Sequence, residues 1–160
     1  MIAKWLIMNG LTIIIIVLWS LYRGYESNYI LIGKIISQAA FILFLININM
    51  YFVFLLIRKS KIRKVKIQLA KISKKMMKFH IPIAITATVL IISHAAIMIT
   101  AHQEQLWKAK TITGAVAFSL LVLLLYSGLL RRWKASGKRR RFHYTMAFIF
   151  LGFVLFHVFI

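Results

Sequence analysis

The sequence predicts an all-α integral membrane protein, a bundle of five spanning helices with one amphipathic helix on the cytoplasmic surface. Of its 160 residues, 62% are hydrophobic, which is more apolar surface than a soluble domain of this length can bury. The apolar residues form several runs that reach the roughly 20 residues needed to span a bilayer. Cations lie in blocks between those runs. We therefore expect residues 1–160 to form a single membrane domain.

The chain is strongly basic, with 22 Lys and Arg against 2 Asp and Glu and a formal net charge of +20. The basic blocks lack the aromatic interleaving of single-strand nucleic-acid binders, so they indicate anionic membrane lipids and topology control rather than nucleic acid. The absence of cysteine excludes disulfides, thiolate metal sites and iron–sulfur clusters. No small-residue cleavage site follows the first apolar run, so a cleaved signal peptide is not expected.

The first predicted span covers residues 5–21, with Trp5 and Trp19 at its interfacial ends. The second span, residues 29–57, is longer than a membrane requires. Its polar residues have two interpretations. They mark a functional site, or they have structural roles, in which Lys34 snorkels to the membrane surface and the others make interhelical hydrogen bonds. These polar residues are Lys34, Ser37, Gln38, Asn47 and Asn49.

A basic, amphipathic segment follows the second span. Apolar residues recur within it at spacings of three and four, which predicts a surface helix over residues 61–77 with its cations toward lipid headgroups. The third span, residues 79–100, carries Pro82, which we place in the first helical turn, where proline is tolerated.

The fourth and fifth spans, residues 111–130 and 142–160, complete the bundle. Small residues in the fourth span allow close helix approach; they are Gly114, Ser119, Ser127 and Gly128. The heavily basic loops, residues 58–78 and 131–141, follow the second and fourth spans, so the positive-inside rule places both in the cytoplasm. We expect a multi-pass plasma-membrane protein with its amino terminus inside and its carboxyl terminus outside.

Two of the spans carry a pair of histidines at the same spacing. His80 and His94 are 14 residues apart, and so are His143 and His157. That spacing advances a helix by about 21 Å and returns the second side chain to within about 40° of the first. The predicted orientation makes the third and fifth spans parallel. The pattern therefore predicts two bis-histidine haem b groups, with His80 and His143 on the inner iron and His94 and His157 on the outer iron.

Further residues fit the same two sites. Haem propionates need cationic or polar partners, which the inner site would draw from Lys78 and Arg141 and the outer site from Lys34 and Gln38. Midway between the ligands, Phe150 falls on the ligand face, and Ala87 occupies the matching place in the third span; both would pack between the macrocycles.

Other assignments of the histidines are weaker. The histidines of one helix lie too far apart to meet at one zinc ion, and no acidic ligands accompany them. His102 falls in a loop, off the face of His94, so a structural role or a propionate contact is expected for it rather than ligation.

Two membrane helices, each with His-x13-His and separated by one helix, resemble the ferric reductase-like transmembrane domain. That domain occurs in ferric reductases, NADPH oxidases and the haem subunit of the periplasmic methionine sulfoxide reductase system. The resemblance covers roughly residues 78–160. The four matching positions are His80, His94, His143 and His157.

The resemblance implies a di-haem b-type cytochrome, an electron-transfer oxidoreductase component. Such domains commonly have six helices, and the enzymes among them append a cytosolic flavin and nicotinamide domain. Because this chain ends at Ile160, we expect a separate donor, either a soluble flavoprotein or a membrane quinol. The acceptor would be extracytoplasmic: ferric iron, an oxygen species or a partner enzyme. The alternative is a haem-free small membrane subunit of a larger complex, with structural or proton-relay histidines.

Overall fold

The computed structural model describes residues 2–105 and 107–160, with side chains from residue 7 onward except at residues 105 and 106. This part of the chain is all-α, as predicted. Its helices are α1 (Ile2–Tyr22), α2 (Asn28–Lys59), α3 (Arg63–Ala101), α4 (Ala109–Trp133) and α5 (Gly137–Phe159), with a 3-10 turn at Gln103–Gln105.

Four of the described helices, α2 to α5, are long and apolar enough to cross a membrane. Large apolar side chains such as Ile85 and Val89 are exposed along them, which suits contact with lipid rather than water. A multi-pass membrane protein is thus supported. The apolar part of α1 that can be judged, Ile7–Tyr22, is shorter, and the predicted first span, residues 5–21, begins outside the described side chains.

Helix α3 differs from the prediction. The surface helix and the third span form one continuous helix of 39 residues, about 58 Å long. Pro82 lies well inside this helix, so its placement in a first turn was wrong. The residues before it, Lys74 to Phe79, include no helix-stop signal and are mostly good helix formers. Proline has no amide hydrogen, which removes the helical donor to the carbonyl of Lys78 without ending the helix.

Serine caps and one turn explain where α2 and α5 begin. Ser27 Oγ accepts a hydrogen bond from the amide of Ile30 at 3.3 Å, and Ser136 Oγ accepts one from the amide of Arg139 at 3.2 Å. Both bonds satisfy amides that a helix amino terminus would otherwise leave without a partner. Gly24, in the turn before α2, has a φ of 61°, a conformation that favours glycine.

The chain forms two compact units, residues 1–98 and 99–160. In the first unit, Asn9 Nδ2 of α1 donates to Asn49 Oδ1 of α2 at 3.3 Å. Asn47 Nδ2 of α2 donates to the His80 carbonyl of α3 at 3.1 Å. Asn47 and Asn49 of α2 therefore make the interhelical hydrogen bonds that were one of the two alternatives for them.

The second unit is an antiparallel hairpin of α4 and α5. Its described buried residues include Leu121 and Leu124 of α4 and Met146 of α5. Cations hold helix ends through carbonyls: Arg139 Nη1 donates to the Leu130 carbonyl at 2.8 Å and to the Lys134 carbonyl at 3.2 Å. Lys110 Nζ donates to the Val158 carbonyl at 3.1 Å. All three carbonyls lie in the last turn of a helix or directly after it, where cationic side chains commonly bind; the Leu130 carbonyl also accepts from the Lys134 amide at 3.2 Å.

We expect Arg139→Ala to destabilise the hairpin by about 1 kcal/mol, because it removes two hydrogen bonds to helix-terminal carbonyls. Helical circular dichroism during sodium dodecyl sulfate titration in mixed micelles would measure the change. Arg140→Ala is the matched control, since Arg140 is the exposed neighbour and carries the same charge in the same turn of α5. Equal destabilisation by the two variants would contradict the capping role of Arg139.

Candidate functional site

The hydrogen bond of His94 fixes which ring nitrogen carries its hydrogen. His94 is half-buried on α3, and its Nδ1 lies 2.9 Å from the carbonyl oxygen of Gly33 on α2. Because a carbonyl oxygen only accepts, Nδ1 must be the protonated nitrogen. Nε2 is then the nitrogen that bears the lone pair.

His143 is fixed in the same form by a side chain. Its Nδ1 lies 2.8 Å from Oγ of Ser127, and that hydroxyl donates to the Leu124 carbonyl at 2.6 Å. A serine hydroxyl has a single hydrogen, so Oγ accepts from the imidazole and Nδ1 is protonated. Ser127 is 0% exposed, which shields this short chain of hydrogen bonds from competing partners.

His157 repeats the arrangement further along α5. Its Nδ1 lies 3.1 Å from Oγ1 of Thr113, which donates to the Lys110 carbonyl at 3.0 Å. The threonine hydroxyl therefore accepts from Nδ1–H by the same reasoning. Three of the four predicted ligands thus have one tautomer, which leaves the lone pair on Nε2.

The helix before each histidine pair contacts it at a matching spacing. On α4, Thr113 and Ser127 are 14 residues apart, as are His157 and His143 on α5. On α2, the two contacts with α3 are also 14 residues apart: one to the ring of His94, the other to the backbone of His80. The α2 residues are Gly33 and Asn47. Each unit therefore contains an antiparallel helix pair in the same register.

Two glycines of α4 lie directly against imidazoles. A Cβ at Gly114 would lie 3.0 Å from Cε1 of His157, and a Cβ at Gly128 would lie 3.4 Å from Cε1 of His143. These glycines were predicted to allow close helix approach, and the groups that approach them are the histidine rings. On α2, a Cβ at Gly33 would meet side-chain atoms of α3 within 3 Å.

The polar residues predicted for the outer site lie on α2. The Lys34 ammonium donates to the Gly24 carbonyl in the preceding turn, a contact that suits a lysine snorkelling toward the membrane surface. Gln38 is half-buried one helical turn further along. Through this hydrogen bond Lys34 links α2 to the turn before it, and this role does not depend on a propionate.

The cations predicted for the inner site lie close in sequence to the first histidine of each pair, Lys78 before His80 and Arg141 before His143. Lys78 is exposed, with its ammonium 6.0 Å from the ring centroid of Phe79, at the limit of a cation–π contact. Arg141 is exposed in the first turns of α5. Both side chains are long enough to reorient, so their positions are compatible with contacts to an acidic group.

The residues midway between the histidines are buried: Ala87 is 6% exposed and Phe150 3% exposed. His102 follows α3 in the turn before the 3-10 segment and is half-buried. It lies outside the repeated register of the other four histidines.

The donor set suits a metal whose other ligands come from a cofactor. Within residues 2–105 and 107–160, no three His, Asp or Glu side chains come together to hold one ion. His94, His143 and His157 instead each offer a single imidazole nitrogen, Nε2. Haem iron takes four nitrogens from the macrocycle and needs only axial ligands from protein, so the residues present fit haem.

Comparison of the chain with protein-family models, curated protein sequences and solved structures finds no match. Function therefore has to be inferred from the residues of the site. The sequence pattern singled out the four histidines as candidate ligands but did not point to the hydroxyls that contact two of them. The sequence does contain a pattern that indicates them: a hydroxyl residue followed by glycine occurs twice in α4, at Thr113-Gly114 and Ser127-Gly128, with the same 14-residue spacing as the histidines.

We expect Gly114→Ala to destabilise the α4–α5 hairpin by about 1–3 kcal/mol, because its Cβ would press on a ring that Thr113 already holds. Gly128→Ala is the matched variant: its Cβ would make ordinary van der Waals contact, and alanine raises helix propensity by up to about 1 kcal/mol. Detergent unfolding of both variants measures the difference. The close packing of His157 on α4 would be contradicted if Gly114→Ala were as stable as Gly128→Ala.

Proposed function

We propose that the chain is a transmembrane di-haem b-type cytochrome of the ferric reductase-like kind, which carries electrons from a cytoplasmic donor to an extracytoplasmic acceptor. The observation that carries the proposal is the shared tautomer of His94, His143 and His157, each with Nδ1 donating to a protein oxygen. Metal-ligating histidines characteristically donate their second ring nitrogen in this way. When bound, haem supplies the reversible one-electron chemistry of its iron.

The ligand pairing follows from the charges of the loops. The basic loops give α3 and α5 the same direction through the membrane under the positive-inside rule. His80 and His143 then ligate the inner haem, and His94 and His157 ligate the outer haem. Lys78 and Arg141 are candidates for the inner propionates, with Lys34 and Gln38 for the outer ones.

The chain's own groups do three things in this proposal. The Nδ1 hydrogen bonds orient the rings and make Nε2 more basic. The same bonds prevent Nδ1 from acting as the ligand. The apolar helices keep water away and surround the ligands with a medium of low dielectric constant, which is one of the levers on haem potential.

The tautomer of His94 also bears on the proton-relay alternative. A relay needs each member to accept one proton and pass on another. The Nδ1 hydrogen of His94 goes to the carbonyl of Gly33, and an amide carbonyl has no proton of its own to pass on. This contact orients a ring but ends a proton pathway, which favours ligation.

The proposal places the protein in the plasma membrane, with the amino terminus and the basic loops in the cytoplasm. Those loops would contact anionic lipid headgroups and could receive a soluble flavoprotein. A membrane quinol is the other donor compatible with the chain.

We expect the haem content of ligand variants to follow the pairing. His80→Ala and His143→Ala should each remove one haem, and the double variant His80→Ala/His143→Ala should remove no more than either alone. His80→Ala/His94→Ala should remove both, because it takes one ligand from each haem. The pyridine haemochrome assay on purified protein measures haem per polypeptide.

His102→Ala is the matched control, since it removes a half-buried imidazole outside the proposed ligand set and should leave both haems in place. A His80→Ala/His94→Ala protein that kept one haem would contradict the pairing. Full loss of haem in His102→Ala would contradict the choice of ligands.

The identity of the donor can be tested through ionic strength in proteoliposomes. A soluble acidic flavoprotein would be steered by the basic loops, so its rate of haem reduction should fall several-fold between low and high salt. A neutral quinol dissolved in the membrane gains nothing from surface charge, and its rate should stay constant. A flavoprotein rate that does not change with salt would contradict electrostatic docking on the basic loops.

A further inference from the structure

Helix α4 carries a hydroxyl residue followed by glycine twice, at Thr113-Gly114 and at Ser127-Gly128. In each pair the hydroxyl accepts from a histidine Nδ1 and the glycine leaves room for the same ring. The two rings, His157 and His143, thereby receive both their orientation and their space from α4. Ser119, on the same helix, donates only to its own helix at the Ala115 carbonyl.

We propose that Ser127 and Thr113 are positioning residues that hold the imidazoles of α5 as Nε2 ligands and set the two haem potentials apart. The second half of this inference rests on the proposed function. The first half, the control of the histidine tautomers, concerns only residues of this chain.

The two hydroxyls hold their histidines with different strength. Ser127 is fully buried, lies 2.8 Å from Nδ1 of His143 and donates to the Leu124 carbonyl at 2.6 Å. Thr113 is half-buried, and its two corresponding distances are 3.1 and 3.0 Å. A hydroxyl that donates a short hydrogen bond becomes a better acceptor, and a buried hydrogen bond is electrostatically stronger. His143 therefore has the stronger Nδ1–H bond.

A stronger Nδ1–H bond makes the ring more electron-donating toward a metal at Nε2. Greater donation stabilises the ferric state over the ferrous state. The haem ligated by His143 should therefore have the lower potential, and the haem ligated by His157 the higher one. That order favours electron movement from the cytoplasmic haem to the outer haem.

The tautomers can be measured without haem, by nitrogen-15 nuclear magnetic resonance of histidine-labelled full-length protein from a haem-deficient host. The His143 resonances should report Nδ1–H in the native chain and a mixture of tautomers in Ser127→Ala. Ser127→Thr keeps a hydroxyl and should restore the native tautomer. Ser119→Ala, which removes a hydroxyl that contacts no imidazole, should leave it unchanged.

The potentials are measured by redox titration of the haem-loaded protein. Ser127→Ala should raise the potential of the haem ligated by His143. We expect the ratio of reduced to oxidised haem, measured at one fixed ambient potential, to rise about tenfold, which corresponds to about 59 mV for one electron. Thr113→Val should raise the potential of the other haem by less. Ser127→Thr should return the first value to near native.

The outcomes separate the two claims. An unchanged His143 tautomer in Ser127→Ala, or an equal change in Ser119→Ala, would overturn the positioning role. A native tautomer lost in Ser127→Ala and regained in Ser127→Thr supports it. The same result in a protein that binds no haem would overturn the proposed function while supporting the contact between Ser127 and His143. Equal potentials for the two haems in the native protein would overturn the ordering.

Discussion

The structure depends on the hydrogen-bond partners that neighbouring helices supply to the imidazoles of His94, His143 and His157. A histidine ring has two nitrogens, and leaving a polar group without a partner in a hydrocarbon environment costs several kcal/mol. In three described cases the preceding helix supplies the partner for Nδ1: a backbone carbonyl of α2 for His94, and hydroxyls of α4 for His143 and His157. The position of one helix along the next is fixed by these contacts.

That constraint accounts for the repeated register. Because the histidines recur every 14 residues, their ring partners on an antiparallel neighbour must recur at the same interval, and Thr113 and Ser127 of α4 do so. On α2 the same interval separates a contact to the ring of His94 from a contact to the backbone carbonyl of His80. The glycines of α4 belong to the same arrangement, since each lies against the ring that the neighbouring hydroxyl binds, most closely at Gly114, where a Cβ would lie 3.0 Å from Cε1 of His157. A chemical requirement at the imidazole thus selects small and hydroxyl residues on the facing helix.

Much of the fold could be predicted from the sequence, because apolar runs reveal helices that can cross a membrane. The predicted ends mark the membrane boundary, however, and not the helix boundary. Helix α5 begins at Gly137 rather than at residue 142 because the cap at Ser136 brings the basic residues into the helix. Helix α3 likewise continues from Arg63 through Pro82, across the point where the basic segment meets the apolar run. Hydropathy changes at these points, but helix propensity does not.

The candidate site was predictable in its histidines and not in their partners. The spacing of His143 and His157 is visible in one segment, whereas the match of Ser127 to His143 depends on how α5 lies along α4. That register depends on the contacts between the two helices and on the turn that joins them, neither of which a periodic pattern reveals. Asn47 shows the same limit: its polarity predicted an interhelical contact, but its partner, the carbonyl of His80, emerged only from the fold.

The central claim, that four imidazoles hold two haem irons, is tested most directly by electron paramagnetic resonance of the oxidised, purified protein at low temperature. Bis-histidine ligation predicts low-spin ferric signals that integrate to two spins per chain, with one spin lost in each single ligand variant. A colourless protein without these signals would contradict the account. A dominant high-spin signal, from haem with only one protein ligand, would contradict it as well.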